Sequence, residues 1–155
     1  MSCEPGESLM FGMISQRVWL GVTICNQAEA DRDIPKLLAV PAHKRFLSVE
    51  PLLGPVDLTH WIGLQPAVGA TTYQDEDGIC RCDFTGTPVD GIDWVIVGCE
   101  SGPNARPMHE GWALLLVEQC RSAGVAVFMK QMHVDGKLCN EMDRFPEDLR
   151  VREFP

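Results

Sequence analysis

Four short stretches carry groups capable of chemistry, and each follows an apolar run: Cys25-Asn26 after "RVWLGVTI", Glu50 after "RFLSV", Glu100-Ser101 after "WVIVGC", and Lys130-Gln131 after "VAVFM". Two carboxylates and an ammonium on one rim would coordinate a cation, hold a substrate amine or transfer protons, with Lys130 keeping the pair ionised. Glu50, Glu100 and Lys130 are therefore the candidate catalytic residues, and Arg106 would add a bidentate grip on a carboxylate or phosphate. A structural reading stands beside this one. Glu50 and Glu100 each precede a proline, Pro51 and Pro103, and would accept backbone N–H bonds that shape a tight turn. The residues alone leave both readings open.

Something must bring these groups together. Trp94 to Val97 is a run of large apolar residues with no period-two alternation, the mark of a strand covered on both faces. Arg17 to Ile24, Arg45 to Val49 and Val125 to Met129 read as three further strands. Between the first two, Asn26 is a candidate N-cap with Glu29 three residues on, as in a capping box. Ile34, Leu37 and Leu38 then share a helix face, and Pro35 is expected to kink or restart that helix. A second helix places Trp112, Leu115, Leu116, Gln119, Cys120 and Ala123 on one face and stops at Gly124. Strand, helix, strand, crossover, strand, helix, strand predicts an α/β fold with βαβ units and a parallel sheet of about four strands. In such sheets ligands bind beyond the carboxyl ends of the strands, where all four polar stretches fall.

The 155 residues suit one domain of residues 1–155, with an N-terminal extension over 1–16, a long irregular loop over 63–91 and a charged surface tail over 134–155. No apolar run approaches the roughly 20 residues that cross a bilayer, and the N-terminus lacks a secretory pattern, which points to the cytoplasm and no membrane partner. A net charge of -9 opposes direct nucleic-acid binding, and the acidic residues are too dispersed to suggest a nucleic-acid mimic.

Seven cysteines in such a chain read as reduced thiols, most of them in the core. Cys80 and Cys82 form a C-x-C pair that Cys99, Cys139, His109 or His133 would have to complete as a metal site. The spacing fits no standard zinc pattern, so no metal is expected. P-loop, dinucleotide, zinc-protease and nucleophile-elbow motifs are all missing from the sequence.

The stretches "VWLGVTICNQAEADRDIPKLLAVPAHKRFLSVEPLLGPVDL", "IDWVIVGCESGPNARPMHEGW", "EQCRSAGVAVFMKQ" and "PEDLRVREFP" resemble the C-terminal half of a phage-associated family of unknown function, often called the gene product thirty-seven / sixty-eight family. That family is in turn similar to radical S-adenosylmethionine (SAM) proteins, with a partial (β/α) barrel and an N-terminal cysteine motif for a 4Fe–4S cluster. The resemblance implies the C-terminal half of such a barrel here. Ser48 and Glu50 of "SVEP", Glu100, Ser101 and Arg106 of "ESGPNARPM", and Lys130 and Gln131 of "KQ" would line its mouth, with Asn26 at the end of the first strand.

SAM is the cofactor that the resemblance implies. An iron–sulfur cluster is not expected in this chain, because its cysteines do not reproduce the three-cysteine motif and a cluster cannot assemble without thiolate ligands. The implied function is a phage or prophage-type half-barrel with a polar pocket at the strand ends, inactive in isolation, which is either a truncated product or a piece that pairs with a separately encoded N-terminal half. The alternative is a non-catalytic module that binds a host factor or partner protein, or dimerises through an exposed sheet edge.

Overall fold

The computed structural model describes residues 18–40, 42–62, 71–74, 80–83 and 91–155. In chain order the elements are β1 (Trp19–Thr23), α1 (Gln27–Leu38), β2 (Lys44–Val49), β3 (Thr71–Gln74), β4 (Cys80–Asp83), β5 (Trp94–Gly98), α2 (Glu110–Ala123), β6 (Ala126–Val134) and β7 (Lys137–Cys139), with two 3-10 turns at Met142–Arg144 and Glu147–Leu149. The main sheet runs β1-β2-β5-β6-β7. Its first four strands are parallel and β7 is antiparallel to β6, so the sheet is mixed. The expected parallel group of four is present. The stretch expected as irregular loop contains the antiparallel β3–β4 hairpin, and its other residues lie outside those described, as does the extension over 1–16.

Local chemistry sets the helix ends. Asn26 Oδ1 accepts the Glu29 N–H at 3.1 Å, and Glu29 Oε2 accepts the Cys25 N–H at 2.7 Å, a capping box shifted by one residue. Pro35 does not restart the helix. It sits in the last turn, and α1 continues to Leu38 as one element. At the end of α2, Gly124 adopts φ 69°. Its N–H bonds to Arg121 O and the Val125 N–H bonds to Cys120 O, the paired Schellman contacts that favour glycine at this position. The buried face of α2 is Ala113, Leu116, Val117 and Cys120, rotated from the expected stripe, and Leu115 is exposed.

The four parallel strands advance in one direction across the sheet, so right-handed crossovers put both helices on the same face. That face is the core. Leu47, Val49, Val95, Val97, Val127 and Met129 alternate along their strands and bury against Ala30, Ile34, Leu37, Leu116 and Cys120 in one cluster. The expectation that β5 is covered on both faces is corrected here: Trp94 and Ile96 are only half-buried. The second face carries an aromatic group in which Trp94 lies 6.1 Å from Trp19, 5.9 Å from Phe46, 6.0 Å from Phe128 and 5.4 Å from Phe154, between ring centroids. Trp19 remains 45% exposed and Phe154 68%, so among the described residues the second face is open.

The segment from 134 onward is not a surface tail. Residues 134–137 turn through Asp135 (φ 51°) and Gly136 (φ 72°), the positive-φ pair of a type I′ hairpin, and β7 returns along β6. Phe145 and Leu149 are buried in the core cluster. Arg152 then bridges Phe128 in antiparallel fashion, with Met129 N–H to Val151 O and Glu153 N–H to Val127 O both formed.

Candidate functional site

Two ionic centres form at the carboxyl ends of β2 and β5, the first of them beside Lys130 and Gln131, which lie within β6 and not beyond its end as expected. At the first, Glu50 leaves β2 on the open face through a cis Glu50–Pro51 peptide. Lys130 Nζ donates to its Oε2 at 2.9 Å and Gln131 Nε2 to its Oε1 at 3.0 Å. Gln131 Nε2 also reaches Cys99 O at 2.9 Å. Consecutive strand residues point to opposite faces, so Lys130 and Gln131 would not ordinarily reach one carboxylate. An irregularity in β6 makes it happen: Val97 pairs with Met129 but Gly98 with Gln131. Lys130 is therefore the extra residue of a bulge, and bulges re-aim side chains in this way. Gly98 is part of the same construction, since a Cβ there would lie 3.0 Å from Glu50 Cδ and a larger residue would displace the carboxylate.

The second centre is the loop after β5. Arg106 clasps Glu100 through Nε to Oε2 at 3.0 Å and Nη2 to Oε1 at 2.6 Å, while its backbone N–H donates to Oε2 at 2.6 Å. The Arg106 side-chain and backbone hydrogen bonds hold the Glu100 carboxyl down at about 2. A depressed carboxylate stabilises the fold above its unfolded value of about 4.3, and that contribution disappears as the pH falls through the folded value. The carboxyl carbon of Glu100 is therefore expected to titrate near about 2 by NMR, and Arg106→Ala should raise that midpoint toward about 4.3. An unchanged midpoint in the variant would contradict the assignment of its cause.

Of the residues expected at the rim, Glu50, Lys130 and Gln131 come together, and Glu100 and Arg106 form their own pair. Among the described residues no hydrogen bond joins the two centres. Glu100 thus fulfils the turn-shaping role as well as standing at a strand end. Asn26 is a helix cap. Ser48 lies on β2, and its carbonyl accepts the Ile24 N–H. Ser101 is exposed.

Among the described residues no group of three His, Cys, Asp or Glu side chains could hold a metal ion, and the side chains of Cys80 and Cys82 lie outside those described. Burial pushes the Cys99 thiol up to about 11 and the Cys120 thiol up to about 12. Cys139 is also buried, and these three read as core residues.

Two contributors went unrecognised in the sequence. Gln119 accepts the Leu58 N–H at 2.6 Å and donates to Val56 O at 3.0 Å, fastening the β2–β5 crossover to α2. Asp93 accepts from Lys44 Nζ at 3.0 Å and the Arg45 N–H at 2.8 Å, fixing where β5 begins beside β2.

A mostly parallel sheet with ionic groups gathered at the ends of β2 and β5 and on the neighbouring β6 defines an α/β protein with a candidate ligand rim. The chain belongs to a family described as a protein of unknown function, DUF5131, whose profile matches residues 4–146. No curated protein and no solved structure matches it. No helix among the described residues is long and apolar enough to cross a membrane.

Proposed function

We propose that this chain is the ligand-binding half of a barrel-type protein related to radical SAM proteins, of phage or prophage type, which holds SAM or a chemically similar ligand at its strand ends. The observation that carries this reading is Glu50, braced from two sides by Lys130 and Gln131 at the carboxyl end of an open sheet face. Each carboxylate oxygen has about two acceptor sites, so Glu50 retains capacity for a ligand ammonium after both bonds. The Glu50–Lys130 ion pair also lets a dipolar ligand exchange partners with Lys130. Bound SAM would supply an activated sulfonium. Reductive cleavage needs a cluster that this chain's cysteine spacing does not provide, so the chemistry requires a second, cluster-bearing half.

Titration calorimetry of the purified chain with SAM tests the reading. Saturable heat is expected, with affinity at least tenfold weaker in Glu50→Ala, the consequence of removing a charge-assisted bond. No heat from a chain shown folded by circular dichroism, or equal heat in the variant, would overturn it.

A second reading rests on the exposed Trp19 and Phe154 and on β1, which pairs only with β2 in the described sheet. An unpaired edge beside an aromatic face suits a partner chain or a second copy. Light scattering after size exclusion is expected to show twice the chain mass at high concentration; a monomer throughout would remove the homodimer.

A further inference from the structure

We propose that a cleft of about 390 Å³ between the β5–α2 loop and the β6–β7 hairpin is a separate binding site for a small planar ligand presenting a hydrogen-bond donor beside an acceptor, as a primary carboxamide or a nucleobase edge does. The volume lies within the range of small-molecule pockets, roughly 300–1,000 Å³. Its polar side chains are Glu100, Asn104 and His133, and Ala105, Pro107 and Leu138 supply apolar wall.

The acceptor is Glu100. Its Oε2 takes two bonds from Arg106 and its Oε1 takes one, which leaves one of about four carboxylate acceptor sites open. The donor is His133. The bulge at Lys130 puts Gln131 level with Gly98, so His133, two residues on, shares the face of Gln131 and borders the cleft. Its Nδ1 is enclosed without any partner. Orphaned buried N–H groups are rarer than orphaned acceptors, which makes Nδ1 the bare nitrogen and leaves Nε2–H as the donor offered to a ligand. An acceptor from Glu100 and a donor from His133, both lining the cleft, are the two complementary groups that an amide edge requires. Neither residue belongs to the Glu50 centre, and the inference does not depend on the SAM reading.

The test is an NMR titration of the whole chain with benzamide and, separately, with adenine, following the imidazole Cε1–H signal of His133, assigned with His133→Gln. A saturable shift is expected from at least one probe, and the tighter of the two assigns the site to a carboxamide or a nucleobase. N,N-dimethylbenzamide, which has no donor for Glu100, should bind at least tenfold more weakly than benzamide if benzamide binds, and 9-methyl-N6,N6-dimethyladenine, which likewise has none, more weakly than adenine if adenine does. His133→Phe keeps a ring but loses the Nε2–H and should weaken binding at least tenfold, whereas His133→Gln, which keeps an N–H, should stay within about threefold. No saturable shift from either probe overturns the proposal. So does undiminished binding by the dimethylated probes or by folded His133→Phe, read for the variant from perturbation of its other signals. SAM heat measured on the same samples separates failure of the cleft from failure of the rim.

Discussion

Phe145→Ala is expected to lower the unfolding free energy by about 3–5 kcal/mol, the range for truncating a buried aromatic ring. Phe145 is 1% exposed and follows the Met142–Arg144 turn, so the ring anchors the last stretch of chain beneath the sheet. Nothing nearby can collapse cheaply into the space it leaves, because Leu149 and Met129 in the same cluster are themselves fully buried and packed cores relax only partly. The carbonyl of Phe145 also accepts Arg150 Nε at 2.8 Å, a bond between backbone and side chain that the substitution leaves available. Loss of packing is thus what the experiment reads. Urea unfolding measures it, and Phe145→Leu should cost distinctly less than Phe145→Ala. A loss below about 1 kcal/mol for alanine would show that residues beyond β7 unfold independently of the sheet.

The second large effect is at Gly21. A Cβ on this residue would lie 2.3 Å from Phe46 Cζ and 2.4 Å from Phe46 Cε2, closer than any van der Waals contact. Turning the ring away would break its contact with Trp94, whose centroid lies 5.9 Å away. Gly21→Val must therefore part β1 from β2 locally or expel the ring, and overpacking of this kind costs about 1–3 kcal/mol. Valine's better strand propensity offsets a fraction of a kcal/mol at most. Thermal unfolding should fall by several degrees, and the near-ultraviolet signal of the tryptophan cluster should change. The double variant Gly21→Val with Phe46→Ala should recover part of the loss, whereas two additive penalties would mean that the clash is not its source.

Much of this fold was legible from local rules, because those rules act over a few residues. The Asn26 and Glu29 cap, the Gly124 stop and the strands at 19–23, 44–49 and 94–98 each follow from neighbours in sequence. The Asp135-Gly136 turn was equally readable, since Asp-Gly between apolar runs signals a two-residue hairpin. Its neglect turned β7 into a tail. Residues such as Phe145 and Leu149, spaced among charges, carry no periodic signal, and only the completed sheet shows where they bury. The site divided along the same line. That Glu50 and Glu100 stand at strand ends was visible, whereas Lys130 and Gln131, expected beyond a strand ending at Met129, lie within β6, which runs on to Val134. Their pairing with Glu50 was not visible, because it depends on one extra residue in β6, and neither a bulge nor its position is written in composition or period. His133 was considered only as a metal ligand for the same reason: the face it occupies is decided by that bulge.

The profile match ends at residue 146, yet Val151 and Glu153 are hydrogen-bonded to β6, and Trp94 Nε1 donates to Glu153 O at 2.9 Å. A chain trimmed to that boundary would keep every ionisable group of the rim and still lose the strip that covers the side of β6. Trp94 and Phe128 would then face water beside an unpaired strand, the pattern that drives edge-to-edge aggregation. Anyone preparing the protein for the titrations above should retain the last nine residues, since insolubility of a shortened form would say nothing about the ligand.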